Sequence, residues 1–403
     1  MRTLSIKIPN VSESLETKLE ALIMGGAFWP DQPLVSERKL AEEFNVSRTS
    51  LRAALANLCD SGLLHLMKRH HVTNVMADLL GPGLSDVAES SPRHILDYWT
   101  ILFHETVLLA RKKARTSDKV QIKKHCRELK KCIVGDAKNE AVSAFERLTR
   151  AVFDSCYNFF LSQTHHAFYS VSFPLFEKSI ANLCDLAADD IRILEQIDAI
   201  AELEFDIETW RGLLDRGFVA EDVDLPALKT NGVTAGKIIE ATLRHPVAFE
   251  SVYELRLISE THAAFQAASN ATEEQKTSLN AHLENMTLLA DMASADYSKL
   301  DTELHRLIAL SSQNPVFAVI DAALAPIFSQ TTNQWLARHL ELRRDQSTIH
   351  LQHTQIVEAI IDSRAEDAKE HMEEHLAYVL RNLRFMREQD HLHEIATARR
   401  LLS

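Results

Sequence analysis

Apolar residues recur three and four positions apart along almost the whole chain, and glycine and proline are scarce between them, which predicts a protein built mainly of α-helices. Leu15–Met24 reads as a first amphipathic helix stopped by Gly25 and Gly26. After a turn holding Pro30 and Pro33, Glu37–Phe44 reads as a second helix with Ser36 as its N-cap. A short turn at Asn45 and Val46 leads to a third helix capped by Ser47. The period then changes to two short strands, Leu63–Leu66 and Val72–Val75, joined through Lys68, Arg69, His70 and His71. Gly81-Pro82-Gly83 and Ser90-Ser91-Pro92 bracket a predicted linker. From His94 onward the helical spacing returns, interrupted in 216–236 by Gly217, Pro226, Gly232 and Gly236. The expected fold is mainly α: an N-terminal winged helix-turn-helix (residues 1–78), then two all-α helical bundles (92–215 and 237–392).

The third helix carries chemistry in its first two turns, where Arg48, Thr49, Ser50 and Arg52 follow the cap. A helix preceded by another at a tight turn, with cations and hydroxyls at its exposed start, is how a helix-turn-helix meets a DNA major groove. The net charge of −13 runs against that reading only if charge is spread evenly. Residues 1–76 hold nine basic and eight acidic residues, and the rest of the chain holds 35 and 49. The acidity therefore lies mostly outside the expected DNA-binding domain, where it aids solubility. Five cysteines without a C-x-x-C pair suit a reducing cytoplasm and exclude a zinc-finger or disulfide framework. No signal peptide is evident, and no apolar run approaches the roughly 20 residues that span a bilayer, so no membrane partner is expected.

The two helical regions share a pattern. Tyr98-x6-Glu105-Thr106 in the first matches Tyr253-x6-Glu260-Thr261 in the second, which points to a diverged internal repeat. In the second region Asp301 and His305 lie at i and i+4, on one side of a helix, with His353 and His375 on later helices. One carboxylate and three imidazoles converging in a bundle can hold a divalent cation, Zn²⁺ first, with Ni²⁺, Mn²⁺ or Fe²⁺ also suited to oxygen and nitrogen ligands. His350 and His371 compete as ligands on spacing. An Asp–His pair on a solvated helix face is the plainer alternative. In the first region Arg150 and Asp154 take the places of Asp301 and His305, and no histidine occurs between His166 and His245. That copy is expected to lack the metal site.

The stretch SERKLAEEFNVSRTSLRAALANLCDSGLL (36–64) resembles the signature of the GntR superfamily of bacterial transcription regulators, in its FadR branch. YELRLISETHAAFQAA (253–268), DTELHRLIALSSQNP (301–315), His353 and His375 resemble that branch's all-helical, metal-dependent effector domain. The resemblance implies that Arg38, Arg48 and Arg52 touch DNA phosphates or base edges, with Ser47, Thr49 and Ser50 adding contacts. It implies a homodimer on a palindromic operator, a metal held by Asp301, His305, His353 and His375, and a small carboxylate effector met by Arg256 and Asn314. A salt bridge to Glu42 is the alternative for Arg38, and an ion pair with Glu260 for Arg256. The wing departs from the family: Lys68 and Arg69 replace its usual glycine, so it is expected to reach phosphates. The second helical region is a further departure, because the family normally carries one. No catalytic residue is expected. A metal-dependent hydrolase would need a general base and a cleft for which no motif is seen, and a metal-free DNA-binding scaffold is the other alternative.

Overall fold

A computed structural model describes residues 11–28, 33–67, 70–73, 75–187, 190–217, 235–289, 294–339 and 345–402. Its elements in chain order begin with helices α1 (Val11–Met24), α2 (Glu37–Glu43) and α3 (Arg48–Asp60), and strands β1 (His65–Met67) and β2 (His70–Val72). Helices α4 (Val75–Ser90), α5 (Pro92–Lys113), α6 (Thr116–Val134), α7 (Lys138–Asp154), α8 (Phe159–Ala187), α9 (Arg192–Ala201) and α10 (Ile207–Gly217) follow. The remainder is α11 (Ala235–Arg244), α12 (Pro246–Asn270), α13 (Glu273–Leu289), α14 (Ser294–Ser311), α15 (Pro315–His339), α16 (Asp345–Ile361) and α17 (Ala365–Leu402). The chain forms two compact units, Met1–Val252 and Tyr253–Ser403, and the division falls inside α12.

In the first unit, α1 packs on α3 and α2 on α3, which buries Leu19, Ile23, Leu40, Ala41, Leu51, Ala54, Leu55 and Leu58. The caps are the expected ones. The Ser36 side chain accepts from the Lys39 amide at 3.4 Å and that of Ser47 from the Ser50 amide at 3.0 Å, each satisfying an otherwise open helix N–H. Between them Asn45 sits at φ 51°, a left-handed conformation that asparagine tolerates and that makes the turn tight. The wing is an antiparallel pair with His65 opposite Val72 and Met67 opposite His70. Both strands lie closer to the connecting loop than the expected Leu63–Leu66 and Val72–Val75, because Leu63 and Leu64 are buried and do not pair in the sheet. Pro30, Lys68 and Arg69 lie outside the described residues.

The expected linker at 81–92 is absent. Gly81-Pro82-Gly83 lies within α4, which runs unbroken to Ser90. Met76, Ala77, Leu80, Leu84, Val87 and Ala88 are all buried, and α4 packs along α8. Glycine costs a helix about 1 kcal/mol and proline about 3. Burying this many apolar side chains, at roughly 1.5–3 kcal/mol for each large one, outweighs that cost. The helical part of this unit, α5 to α10, packs around an aromatic core that includes Trp99, Phe103, Phe145, Phe153, Phe176 and Trp210. Most of the break expected at 216–236 lies outside the described residues. Beyond it α11 returns to α1, where the buried Glu20 accepts from His245 Nε2 at 2.8 Å and lies 3.3 Å from Arg244 Nε.

In the second unit α14 packs on α13 and α15, and α16 on α13 and α17. Pro326 lies within α15, as Pro174 lies within α8. No described helix is long and apolar enough to cross a membrane.

Candidate DNA interface and metal centre

The start of α3 is open to solvent. Its inward face buries Leu51, Ala54, Leu55 and Leu58, which turns Arg48, Thr49 and Arg52 outward and leaves Ser50 half-buried beside the cap. Ser47 and Ser50 bond through their hydroxyls at 2.9 Å. Arg52 Nε donates to Glu37 Oε2 at 2.8 Å, and Arg48 lies 3.8 Å from the same carboxylate. Arg38 stands 3.9 Å from Glu42, the pairing weighed from the sequence, with most of its side chain exposed. Exposed pairs of this kind contribute little, so these guanidinium groups are free to exchange carboxylate for phosphate.

In the second unit Asp301, His305, His353 and His375 converge as their spacing suggested: one donor atom from each lies within 4.8 Å of all the others. All four are buried, His353 completely. The four positions come from α14, α16 and α17, and the packing of α16 on α17 brings the His353 and His375 rings to 4.6 Å. Asp301 Oδ1 lies 3.2 Å from His353 Nε2. His375 Nδ1 lies 3.2 Å from Gln352 Oε1, a contact that fixes its ring. Neither ring nitrogen of His353 has a hydrogen-bond partner among the described residues. Burying two such nitrogens costs free energy unless something binds them. Burial holds His353 and His375 well below the usual imidazole range, so both are neutral, the form that ligates a metal. Burial raises the Asp301 carboxyl. This donor set of one carboxylate and three neutral-capable imidazoles fits a divalent ion. The competing histidines stand elsewhere: His350 Nε2 lies 3.1 Å from Thr287 Oγ1, and His371 Nδ1 is 3.9 Å from Glu374.

Beside the cluster α12 supplies Arg256 and Glu260. Arg256 Nε donates to Glu260 Oε1 at 2.6 Å, and Glu260 Oε2 lies 2.7 Å from His305 Nδ1. Burial works against the charge on Glu260, but Arg256 and His305 outweigh it and bring its pKa down to about 2. The Arg256 guanidinium also lies over the Phe328 ring, 4.2 Å from its centre. Arg256 is therefore a buried ion-pair partner, as the alternative reading had it, and it also lines a cavity. That cavity, about 10 Å³, is bounded by Arg256, Glu260, His305, Asp321, Phe317 and Met372 among others. Asn314 does not line it: its side chain accepts from the Val316 amide at 3.0 Å and starts α15. Asp321 was missed from the sequence. Burial and the neighbouring Glu260 push its carboxyl up to about 7. The available signal was an acid alone in the apolar run PVFAVIDAALAPIF (315–328).

The first unit offers a parallel without the cluster. Tyr157 (φ 50°) followed by Asn158 ends α7 and starts α8, much as Gln313 (φ 63°) and Asn314 end α14 and start α15. Counting back from these turns places Phe145 and Thr149 opposite Asp301 and His305, in place of Arg150 and Asp154. Both are buried. Trp99 Nε1 donates to His165 Nδ1 at 3.2 Å, and His165 Nε2 lies 3.4 Å from Thr149 Oγ1. His165 stacks on Phe153 at 4.2 Å, and burial lowers its pKa to about 3.

Two family models match separate parts of the chain. Residues 11–72 match the model of bacterial regulatory proteins of the gntR family, and residues 251–378 match the FCD domain. The chain joins a GntR-family domain to an FCD domain. The HTH-type transcriptional repressor NagR of Bacillus subtilis is 47% identical over 51 residues, 13% of this chain and 21% of NagR. The repressor NanR of Cronobacter sakazakii is 38% identical over 86 residues, 21% of this chain and 33% of NanR. The chain thus spans about a fifth to a third of these relatives' length. A solved structure of Lar, described as controlling the Listeria monocytogenes agr system, is 17% identical and covers 52% of this chain and 98% of its own, with a TM-score of 0.21.

Proposed function

We propose that this chain is a ligand-responsive transcription regulator that binds double-stranded operator DNA through α3 and senses a small carboxylate at a metal-containing pocket in its FCD domain. The observation that carries the reading is the buried convergence of Asp301, His305, His353 and His375 beside Arg256, in a chain whose α3 presents Arg48, Thr49 and Arg52 to solvent. In this reading the arginines bond guanine edges and phosphates, and Ser47, Thr49, Ser50, Lys68 and Arg69 add contacts. One α3 reads one half-site, so a homodimer reads a palindrome. Asp301, His305, His353 and His375 would hold the ion, which supplies a Lewis-acid seat for a carboxylate. Arg256, fixed by Glu260 and Phe328, keeps a cation beside that seat. The ligand acts on DNA affinity only if it favours one arrangement of the DNA-binding domains. Residues 92–215 are, in the same reading, a diverged copy of the effector bundle without ligands for a metal. Enzymatic activity is no part of this reading. NagR and NanR are named as transcriptional repressors, which supports repression as the output.

Genome-wide capture of bound DNA fragments, followed by Arg48→Ala, tests the DNA arm. The substitution is expected to cost about 1–3 kcal/mol of binding to a captured operator. Unchanged binding removes α3 from the interface. Metal analysis of the purified protein and of the His353→Ala, His375→Ala double variant tests the other arm. No bound metal in the parent protein would favour a metal-free scaffold, and turnover of simple esters or phosphates would favour a hydrolase.

A further inference from the structure

The cavity beside the His cluster has an unbalanced charge. Arg256 is matched by Glu260, to which it donates at 2.6 Å. Asp301 belongs to the metal set. Asp321, supplied by α15, makes no hydrogen bond or close ion pair with any described residue, although Arg306 acts on it at longer range, and it borders the same cavity as Arg256, Glu260 and His305. A divalent ion paired with Asp301 leaves one positive charge over, which an ionised Asp321 cancels. A plain carboxylate entering this site adds a buried negative charge that only a proton on Asp321 can offset, which leaves that carboxyl without a charged partner in a low-dielectric interior. A ligand bearing its own ammonium group adds no net charge.

We infer that the ligand is a compact amino carboxylate, its carboxylate on the metal side of the cavity and its ammonium donating to Asp321; this rests on the metal-and-carboxylate reading above. The remaining wall sets the size. Apart from Ser259, it is apolar, with Ala263, Ile308, Phe317, Ile320 and Leu324 among its residues, so the ligand's third feature is a short hydrocarbon body. The cavity of about 10 Å³ has room for about one water-sized group, so entry displaces a side chain. Met372, with its flexible thioether, is part of the wall. Asp321 is then the residue that selects amines over plain acids, through a charge-assisted hydrogen bond that the acids cannot make.

The test uses the full chain loaded with Zn²⁺ and titrated calorimetrically with matched pairs: glycine and acetate, β-alanine and propionate, 4-aminobutyrate and butyrate, L-valine and isovalerate. Metal content is measured after each titration, because free amino acids also chelate zinc. The expected result is at least one amine that binds roughly tenfold or more tightly than its deaminated partner. Asp321→Asn removes that preference, leaves the plain acid bound as well or better, and keeps the metal. Asp321→Ser does the same if the amide variant folds poorly. The inference is overturned if every plain acid equals its amine, if the preference survives both substitutions, or if lactate outcompetes all the amines. Metal retained with neither class bound removes carboxylate sensing and this inference together. A protein that takes up no zinc instead defeats the metal reading, and the inference goes with it.

Discussion

Twelve and eight residues before its turn, α7 presents Phe145 and Thr149 inward; α14 presents Asp301 and His305 at the same distances from its own turn. The helices have similar lengths, and both hand the chain to a long proline-containing helix. In the first region a single buried imidazole is fully occupied: Trp99 donates to one nitrogen, Thr149 meets the other and Phe153 covers the ring. In the second, His353 is buried with Nδ1 unmet and Nε2 facing only Asp301, a fellow member of the cluster. A buried imidazole that has found hydrogen-bond partners is architecture, and one that faces only an acid and two other imidazoles fits a metal ligand. On the proposed function, that contrast separates a bundle that only holds itself together from one that responds.

The contrast can be broken in several places. The largest effect is expected from His353→Ala, which takes bound metal from near one per chain to near none by elemental analysis. His165→Ala in the first region leaves metal content untouched. If both variants lose metal, the two regions are not different in kind. Trp99→Ala is expected to destabilise the first unit by about 3–5 kcal/mol in denaturant unfolding, as a large aromatic removed from a packed core does. Glu260→Gln costs the second unit a comparable 3–5 kcal/mol, because Arg256 is left as a buried charge without its partner. A loss below 1 kcal/mol would mean that water reaches the pair.

Acid gives a smaller, signed effect. Folded His165 takes a proton only near pH 3, whereas an unfolded imidazole does so near 6.5. The unfolded chain binds the extra proton first, so this group's contribution is whole above pH 6.5 and shrinks as pH falls, by about 2 kcal/mol at pH 5. The stability gap between the parent protein and His165→Phe should narrow by that amount over this range, and a constant gap would contradict a buried neutral imidazole. The smallest effect is Asn314→Ala, about 1 kcal/mol from a lost helix cap with ligand affinity unchanged. A change in affinity would restore Asn314 to the effector site.

Much of this was legible in the sequence, for a physical reason. Caps and helix faces are local, so Ser36, Ser47 and the exposed Arg48 and Arg52 could be read from spacing alone. The i,i+4 pair of Asp301 and His305 was legible on the same ground, and the resemblance supplied its distant partners. Two features were not local. Gly81-Pro82-Gly83 reads as a linker until the apolar stripe around it is seen to face α8, and Asp321 has no motif because its role comes from Arg256 and Glu260 on another helix. Aligning the two left-handed turns puts Thr149, in place of Asp154, opposite His305, and the Tyr157 conformation that sets this alignment leaves no signature in residue type.

The hold of α11 on α1 bears on how the GntR-like part can be handled. Glu20 is kept from water by residues more than two hundred positions later, and α4 leaves the wing already packed on α8. A fragment cut after residue 78 would strip both supports and leave a carboxylate and an apolar seam bare. The amino-terminal domain is thus a lodger in the first unit, built into its walls, and excising it would unroof the room it occupies.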